Sequence, residues 1–156
     1  VMITGAGLLT ALMVLQAIIA PSWPAFLCLW VLMGVGYSAT LTPQGRLLRR
    51  SAHSPDRPAV FTAQFALSHA CWLLTYPLAG SLMTGYGAQI TFAVLAVLGV
   101  AGVAIAIRVW PTGDPVVVPH SHPDLPDDHP HLKGGGHDHA HPLIIDDDHH
   151  AWPTNG

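Results

Sequence analysis

Apolar residues dominate the first 110 positions of the chain and fall into four long runs. Crossing about 30 Å of hydrocarbon takes roughly 20 residues of helix. Runs of about that length predict helices at about 1–20, 25–41, 60–84 and 88–110. Barrel strands would alternate apolar and polar residues over about ten positions, and these runs do not. The pattern therefore predicts an all-α membrane protein with four transmembrane helices.

The segments between the runs differ in charge. The turns at Pro21–Pro24 and Gly85–Gly87 carry no charged residue, whereas the middle segment carries one acidic residue, Asp56, and four arginines. These arginines are Arg46, Arg49, Arg50 and Arg57. Because cytoplasmic loops are enriched in Lys and Arg, we expect this segment to lie inside the cell. Both ends of the helical region, residues 1–110, would then face the cytoplasm.

Composition narrows the class of protein. Charged residues make up only 10% of the chain, against roughly 25% in an ordinary soluble domain. Residues 1–45 and 58–107 contain no formally charged side chain, which excludes a water-soluble globular fold. With six Lys and Arg in total, we expect no nucleic-acid partner.

Polar side chains concentrate in the second and third predicted helices. In the third helix, spacings of four, three and four residues place one polar stripe on Gln64, Ser68, Cys71 and Thr75. Polar groups in hydrocarbon usually face a bundle interior or a water-filled path. The candidate path-lining residues are Tyr37, Gln64, Ser68 and His69. Ordinary hydrogen bonding between helices is the alternative interpretation.

The helices contain no acid–base dyad, paired nucleophile or phosphate-binding loop, so we expect no enzymatic activity. Cys28 and Cys71 lie in apolar runs and do not indicate a disulfide framework.

Residues 111–156 have a different composition, with nine His, eight Asp and eight Pro. This segment is predicted to be a disordered or extended tail. Neutral imidazole suits Zn, Ni, Co and Cu, so the tail is a candidate metal-binding segment, although the protein should require no cofactor. The candidate ligands are His120, His122, His129, His131, His137, His139, His141, His149 and His150. A solvated, pH-responsive tail is the alternative.

Alternate residues of an extended chain point the same way. The closely spaced His137, His139 and His141 are therefore predicted to converge on one ion.

Several loose motifs resemble the major facilitator superfamily of secondary transporters. The stretch Ser54–Phe61, with its Pro-acid-Arg sequence, precedes the polar helix, and Tyr76–Gly80 supplies a Pro/Gly pair near its far end. Gly34–Tyr37 followed by Pro43 is similar to the end of that family's tenth helix. The resemblance implies that the four helices correspond to helices nine to twelve of a 12-helix bundle. The tail resembles the His-rich C-termini of nickel and cobalt efflux members.

The resemblance implies the C-terminal part of a transporter in the inner or plasma membrane, which moves a small solute, with export of a divalent metal as a candidate activity. Its partners would be the lipid bilayer, the missing N-terminal half, and the solute or metal ion. Alternating access between two halves would be the mechanism. The alternative is a four-helix membrane protein that transports nothing and carries a metal-binding regulatory tail.

The arginine count gives a testable topology. A reporter fused after Pro111 should be active in the cytoplasm, and a reporter inserted in the Pro21–Pro24 turn should be active outside. The opposite pattern of reporter activity would overturn the assignment of the arginine-rich segment to the inside.

Overall fold

A computed structural model describes residues 1–110 and 115–152, and these divide into two units. The helical unit consists of Val1–Gly45 and Ala63–Pro111. The tail unit consists of Arg46–Thr62 and Thr112–Gly156. The arginine-rich segment between the second and third apolar runs therefore belongs with the histidine-rich tail.

The helices follow the apolar runs closely. They are α1 (Met2–Ile18), α2 (Trp23–Leu41), the short α3 (Gln44–Arg50) and the long α4 (Arg57–Val109). A 3-10 turn at Ser54–Asp56 precedes α4. Pro24 lies in the first turn of α2, where its missing N–H costs nothing. Pro43 separates α2 from α3, which the sequence analysis did not resolve as a helix.

One residue breaks α4 into two helical segments, 57–86 and 88–109. Gly87 has φ 79° and ψ 178°, a backbone conformation that is essentially restricted to glycine. This break lies within the Gly85–Gly87 turn that the sequence predicts between the third and fourth helices.

Two helical runs are long and apolar enough to cross a membrane, Trp23–Arg50 and Ser54–Val109. The second run has 56 residues and includes the break at Gly87. At 17 residues, α1 is apolar but shorter than a usual transmembrane helix. Four apolar helical segments are therefore present among the described residues, and the crossing of the membrane by all four stays a prediction.

Glycine contacts set the packing of α1 against α2. A Cβ atom on Gly5 would lie 2.7 Å from the carbonyl oxygen of Gly36, and one on Gly36 would lie 3.0 Å from that of Gly5. A Cβ on Gly99 of α4 would lie 2.8 Å from Oγ1 of Thr10 in α1. Small residues thus let the backbones approach closely, as in many membrane helix pairs.

The tail unit contains a β-hairpin, so the prediction of a disordered tail is wrong for residues 115–152. Strand β1 (Val117–Ser121) pairs antiparallel with β2 (Asp138–Pro142), in a register that places His120 opposite His139. Between the strands, Pro130–Leu132 forms a 3-10 turn. The unit also has a small apolar core, which the His, Asp and Pro content of the sequence obscured. Its buried members are Ala52, Val118, Leu132 and Leu143.

Replacing Gly5 by Ala should destabilise the helical unit, because the new methyl group meets backbone atoms that cannot move easily. Overpacking of this kind typically costs about 1–3 kcal/mol. Gly7→Ala is the matched control, since it has the same helix and the same gain in helix propensity but open space around its Cβ. Thermal unfolding in detergent, followed by circular dichroism, should give a lower Tm for Gly5→Ala than for Gly7→Ala. Equal Tm values would contradict the close α1–α2 packing.

Candidate metal centre

The hairpin places four histidines on one face. His120 in β1 lies directly opposite His139 in β2. His141 lies two residues beyond His139 in β2, and side chains two apart in an extended strand point to the same face. His122 directly follows Ser121, the last residue of β1, and the centre of its ring lies 5.0 Å from that of His120. The strand register therefore collects imidazoles from both arms of the hairpin.

Two further histidines reach the same place from outside the strands. His131 comes from the 3-10 turn, and its Nε2 lies 3.0 Å from Nε2 of His139 and 3.3 Å from Nε2 of His141. His149 comes from a turn near the end of the described chain, and its Nε2 lies 3.0 Å from Nε2 of His120. We call these six residues the histidine cluster: His120, His122, His131, His139, His141 and His149.

The cluster contains two overlapping sets of four possible ligands. In each set, one nitrogen from every residue lies within 4.8 Å of the others. The first quartet is His120, His131, His139 and His141. The second quartet is His120, His122, His131 and His149.

Hydrogen bonds at the outer ring nitrogens fix how the imidazoles face the centre. Nδ1 of His120 donates to the carbonyl oxygen of Val118 at 2.8 Å, and Nδ1 of His139 donates to that of Gly136 at 2.7 Å. A carbonyl oxygen can only accept, so in a neutral ring the proton is on Nδ1 and the Nε2 lone pair points inward. Metal-ligating histidines in proteins are oriented in this way.

Two of the remaining rings follow the same rule. Nδ1 of His141 donates to the carbonyl oxygen of Pro142 at 3.0 Å, and Nδ1 of His149 donates to Oδ1 of Asp146 at 2.7 Å. A second carboxylate lies behind His131, whose Nδ1 is 3.7 Å from Oδ2 of Asp148. Backbone oxygens and aspartates thus form the outer layer of the cluster.

This arrangement leaves lone pairs facing one another. The Nε2 atoms of His120 and His149 are 3.0 Å apart, and when both rings are neutral with the hydrogen on Nδ1, their lone pairs face each other. Nε2 of His122 is buried and has no hydrogen-bond partner among the described residues. Buried acceptors without donors are costly, and a cation at the centre would satisfy them. The donor set therefore fits a metal ion.

Electrostatics keep several of these rings neutral. Burial lowers the pKa values of His120, His122 and His131 below 6.5, and the neighbouring imidazoles lower them further. A metal must compete with protons for imidazole nitrogen, so a lowered pKa favours metal binding at neutral pH.

The distances suit one ion rather than two. Four nitrogens about 2.05 Å from a tetrahedral zinc would be about 3.3 Å apart, close to the spacings of 3.0–3.3 Å in the cluster. Both quartets need His120 and His131, and Nδ1 of His120 is already bonded to a backbone oxygen. The first quartet and the second quartet are therefore alternatives for a single ion.

Three of the nine candidate tail histidines lie outside the cluster. His137 bonds through Nε2 to Oδ1 of Asp127 at 2.8 Å and through Nδ1 to the carbonyl oxygen of His122 at 2.6 Å. The structure therefore does not bring His137 together with His139 and His141 as the spacing predicted, because Asp127 and the backbone of His122 bind both of its ring nitrogens. Nε2 of His129 lies 3.8 Å from Oδ1 of Asp148, and His150 is exposed.

The candidate path-lining residues lie in α2 and α4. Ser68 Oγ donates to the carbonyl oxygen of Phe65 at 2.8 Å, and Nδ1 of His69 donates to the same oxygen at 2.8 Å. Gln64 is half-buried and Tyr37 is exposed. Local bonds to the helix backbone are compatible with either interpretation of the polar stripe, so a transport path through these four residues stays a prediction.

One buried polar residue in the helices was not among the candidate site residues predicted from the sequence. Gln16 of α1 is only 2% exposed, and its Nε2 donates to Sδ of Met33 at 2.9 Å. Its Oε1 is buried and unpartnered among the described residues. A glutamine in an otherwise apolar run was the available signal.

The apolar helices define an all-α membrane protein. The chain matches the Major Facilitator Superfamily over residues 1–141, and it belongs to that family of membrane transporters. No curated protein and no solved structure matches the chain. The family resemblance read from the Gly, Pro and Arg motifs is confirmed, and the assignment to helices nine to twelve stays a prediction.

The pKa shifts predict how the metal-free tail responds to acid. Unfolded His titrates near 6.5, whereas burial keeps folded His120, His122 and His131 neutral to lower pH. Below pH 6.5 the unfolded tail thus binds more protons, so the stability of the hairpin should fall as the pH falls toward the folded-state pKa values. His137 should titrate above 6.5, because its hydrogen bond to Asp127 raises its pKa.

NMR titration of the imidazole Cε1 protons of the metal-free protein would measure all four pKa values. In urea they should converge near 6.5. Folded-state values at or above 6.5 for the three cluster histidines would contradict the buried arrangement.

Proposed function

We propose that the chain is the C-terminal part of a secondary transporter that exports a divalent transition-metal ion, and that its tail binds the same ion. Family membership supports transport of a small solute. The histidine cluster carries the metal assignment, since six imidazoles with inward-facing nitrogens suit Zn, Ni and Co.

Exposed apolar faces support the assignment to a larger membrane bundle. Leu73 and Leu74 of α4 are 75% and 74% exposed, and Val31 of α2 is 68% exposed. Apolar surface of this extent needs lipid or other helices to cover it. Alternating access needs two halves around a central site, so a second half of the transporter is part of the proposal.

The tail unit contains both the arginine-rich segment and the histidine-rich tail, which supports the proposed topology. The arginine-rich segment and the tail belong to one unit, so they lie on the same side of the membrane. The positive-inside rule makes that side the cytoplasm, in an inner or plasma membrane. Cytoplasmic metal would then reach the histidine cluster directly.

Within the membrane, Tyr37, Gln64, Ser68 and His69 are the proposed path-lining residues. Each offers a hydroxyl, amide or imidazole group, and groups of this kind in hydrocarbon commonly mark a solute path. His69 would be a soft enough ligand for a transition metal in transit.

A non-transporting membrane protein with a metal-binding regulatory tail is the second candidate. The ordered tail favours it, because the hairpin folds in one unit with the arginine-rich segment, as a regulatory domain would. Metal flux that requires residues 1–110 would distinguish transport from this alternative.

Removing one shared ligand tests the proposed metal site. His131→Ala should abolish high-affinity binding of one Co²⁺ per chain, because both quartets contain His131. His150→Ala is the control, since this exposed residue lies outside the cluster. Visible absorption of Co²⁺ bound to the purified protein measures the affinity and the stoichiometry.

The same pair of variants in the natural gene context tests the function in cells. Tolerance to Ni²⁺, Co²⁺ or Zn²⁺ should fall for His131→Ala and stay unchanged for His150→Ala. Loss of Co²⁺ binding without any change in metal tolerance would show that the affinity of the tail is incidental to the activity.

A further inference from the structure

The last described residues of the tail unit contact the arginine-rich segment. The backbone N–H of Ile145 donates to the carbonyl oxygen of Arg50 at 3.0 Å. Nε2 of His53 lies 2.9 Å from Oδ1 of Asp147. The guanidinium carbon of Arg50 lies 4.8 Å from the centre of the Trp152 ring. Residues 145–152 thus lie against the segment that leads into α4.

The same stretch carries a ligand of the histidine cluster. Oδ1 of Asp146 accepts hydrogen bonds from the backbone N–H groups of Asp148 at 3.1 Å and His149 at 2.9 Å. It also accepts from Nδ1 of His149 at 2.7 Å. One carboxylate therefore fixes both the turn and the orientation of the His149 ring, which is only 6% exposed. The turn at Asp146 therefore links the position of the His149 ring to the contacts that Ile145 and Asp147 make with the arginine-rich segment.

The contacts with the segment are weak without further support. The side chain of Asp147 is 95% exposed, so water and salt screen its interaction with His53. The backbone hydrogen bond at Ile145 and the contact of Arg50 with Trp152 must also offset the entropy of ordering residues 145–152. A ligand that fixes His149 would remove much of that entropic cost.

Only the second quartet takes a ligand from this stretch. The second quartet includes His149, whereas the first quartet takes all its ligands from the hairpin and the 3-10 turn. An ion in the second quartet bonds directly to His149 and so holds residues 145–149, whereas an ion in the first quartet acts on them only through the contact of His131 with Asp148.

We propose that a metal ion in the second quartet acts as a clasp, which holds residues 145–149 against the segment Arg46–Asp56. This inference rests on the metal site of the proposed function and adds its regulation. Arg57, the first residue of α4, donates through Nε to the carbonyl oxygen of Ala52 at 3.2 Å. The clasp thus restrains the connection into α4 and makes that connection responsive to cytoplasmic metal.

Hydrogen exchange of the whole chain in detergent, measured by mass spectrometry with and without Zn²⁺, tests the clasp. Zn²⁺ should slow exchange in the peptide that contains the Ile145 amide by about tenfold, a typical coupling between linked sites. His149→Ala should still bind one Zn²⁺ through the first quartet, but the slowing at Ile145 should disappear. His150→Ala should behave like the unsubstituted chain.

A second variant keeps the test decisive if His149→Ala disturbs the turn. His139→Ala removes a ligand of the first quartet only, so Zn²⁺ should still slow exchange at Ile145. Zn²⁺ binding to the unsubstituted chain with unchanged exchange at Ile145 would overturn the clasp and leave the metal site standing. Failure to bind Zn²⁺ at all would overturn both.

Discussion

Six imidazoles share one small space in the tail, and the fold of the tail depends on how their lone pairs are satisfied. Outer hydrogen bonds to carbonyl oxygens and to Asp146 turn Nε2 inward in four of the rings. Burial and neighbouring rings then oppose protonation at His120, His122 and His131. A cation at the centre would satisfy the inward-facing lone pairs. Because the apolar core of this unit is small, metal binding would contribute directly to its folding free energy.

The helices could be predicted from the sequence because few backbone conformations are stable in hydrocarbon. Long uncharged runs must form helices to satisfy their own N–H and C=O groups, and Gly87 marks the one non-helical backbone conformation within α4. The short helix Gln44–Arg50 was missed, since Pro43 and the arginines were interpreted as a loop. Small residues in these helices are typical of close helix–helix contacts, but the sequence alone does not predict that Gly5 contacts Gly36.

The tail was harder to predict, because its structure depends on long-range pairing rather than on local pattern. Period two along the chain correctly placed His139 and His141 on one face, but it gave no register with His120, nineteen residues before His139. His137 shows the limit of local reasoning, since its bond to Asp127 takes it out of the cluster. His149 and His150 are neighbours in sequence, and the turn at Asp146 directs only the first of them inward.

The two units depend on different surroundings, and the segment Arg46–Thr62 belongs to one while leading into the other. Apolar helices are stabilised by hydrocarbon whatever the metal concentration, whereas the histidine cluster depends on protons and metal. A ligand shifts a conformational equilibrium only by its differential affinity for the two states. The proposed clasp would supply such a difference, because its ligand His149 lies in the same stretch as the contacts of Ile145 and Asp147 with this segment. If the proposed topology holds, the concentration of metal in the cytoplasm would thereby act on a transporter through this loop.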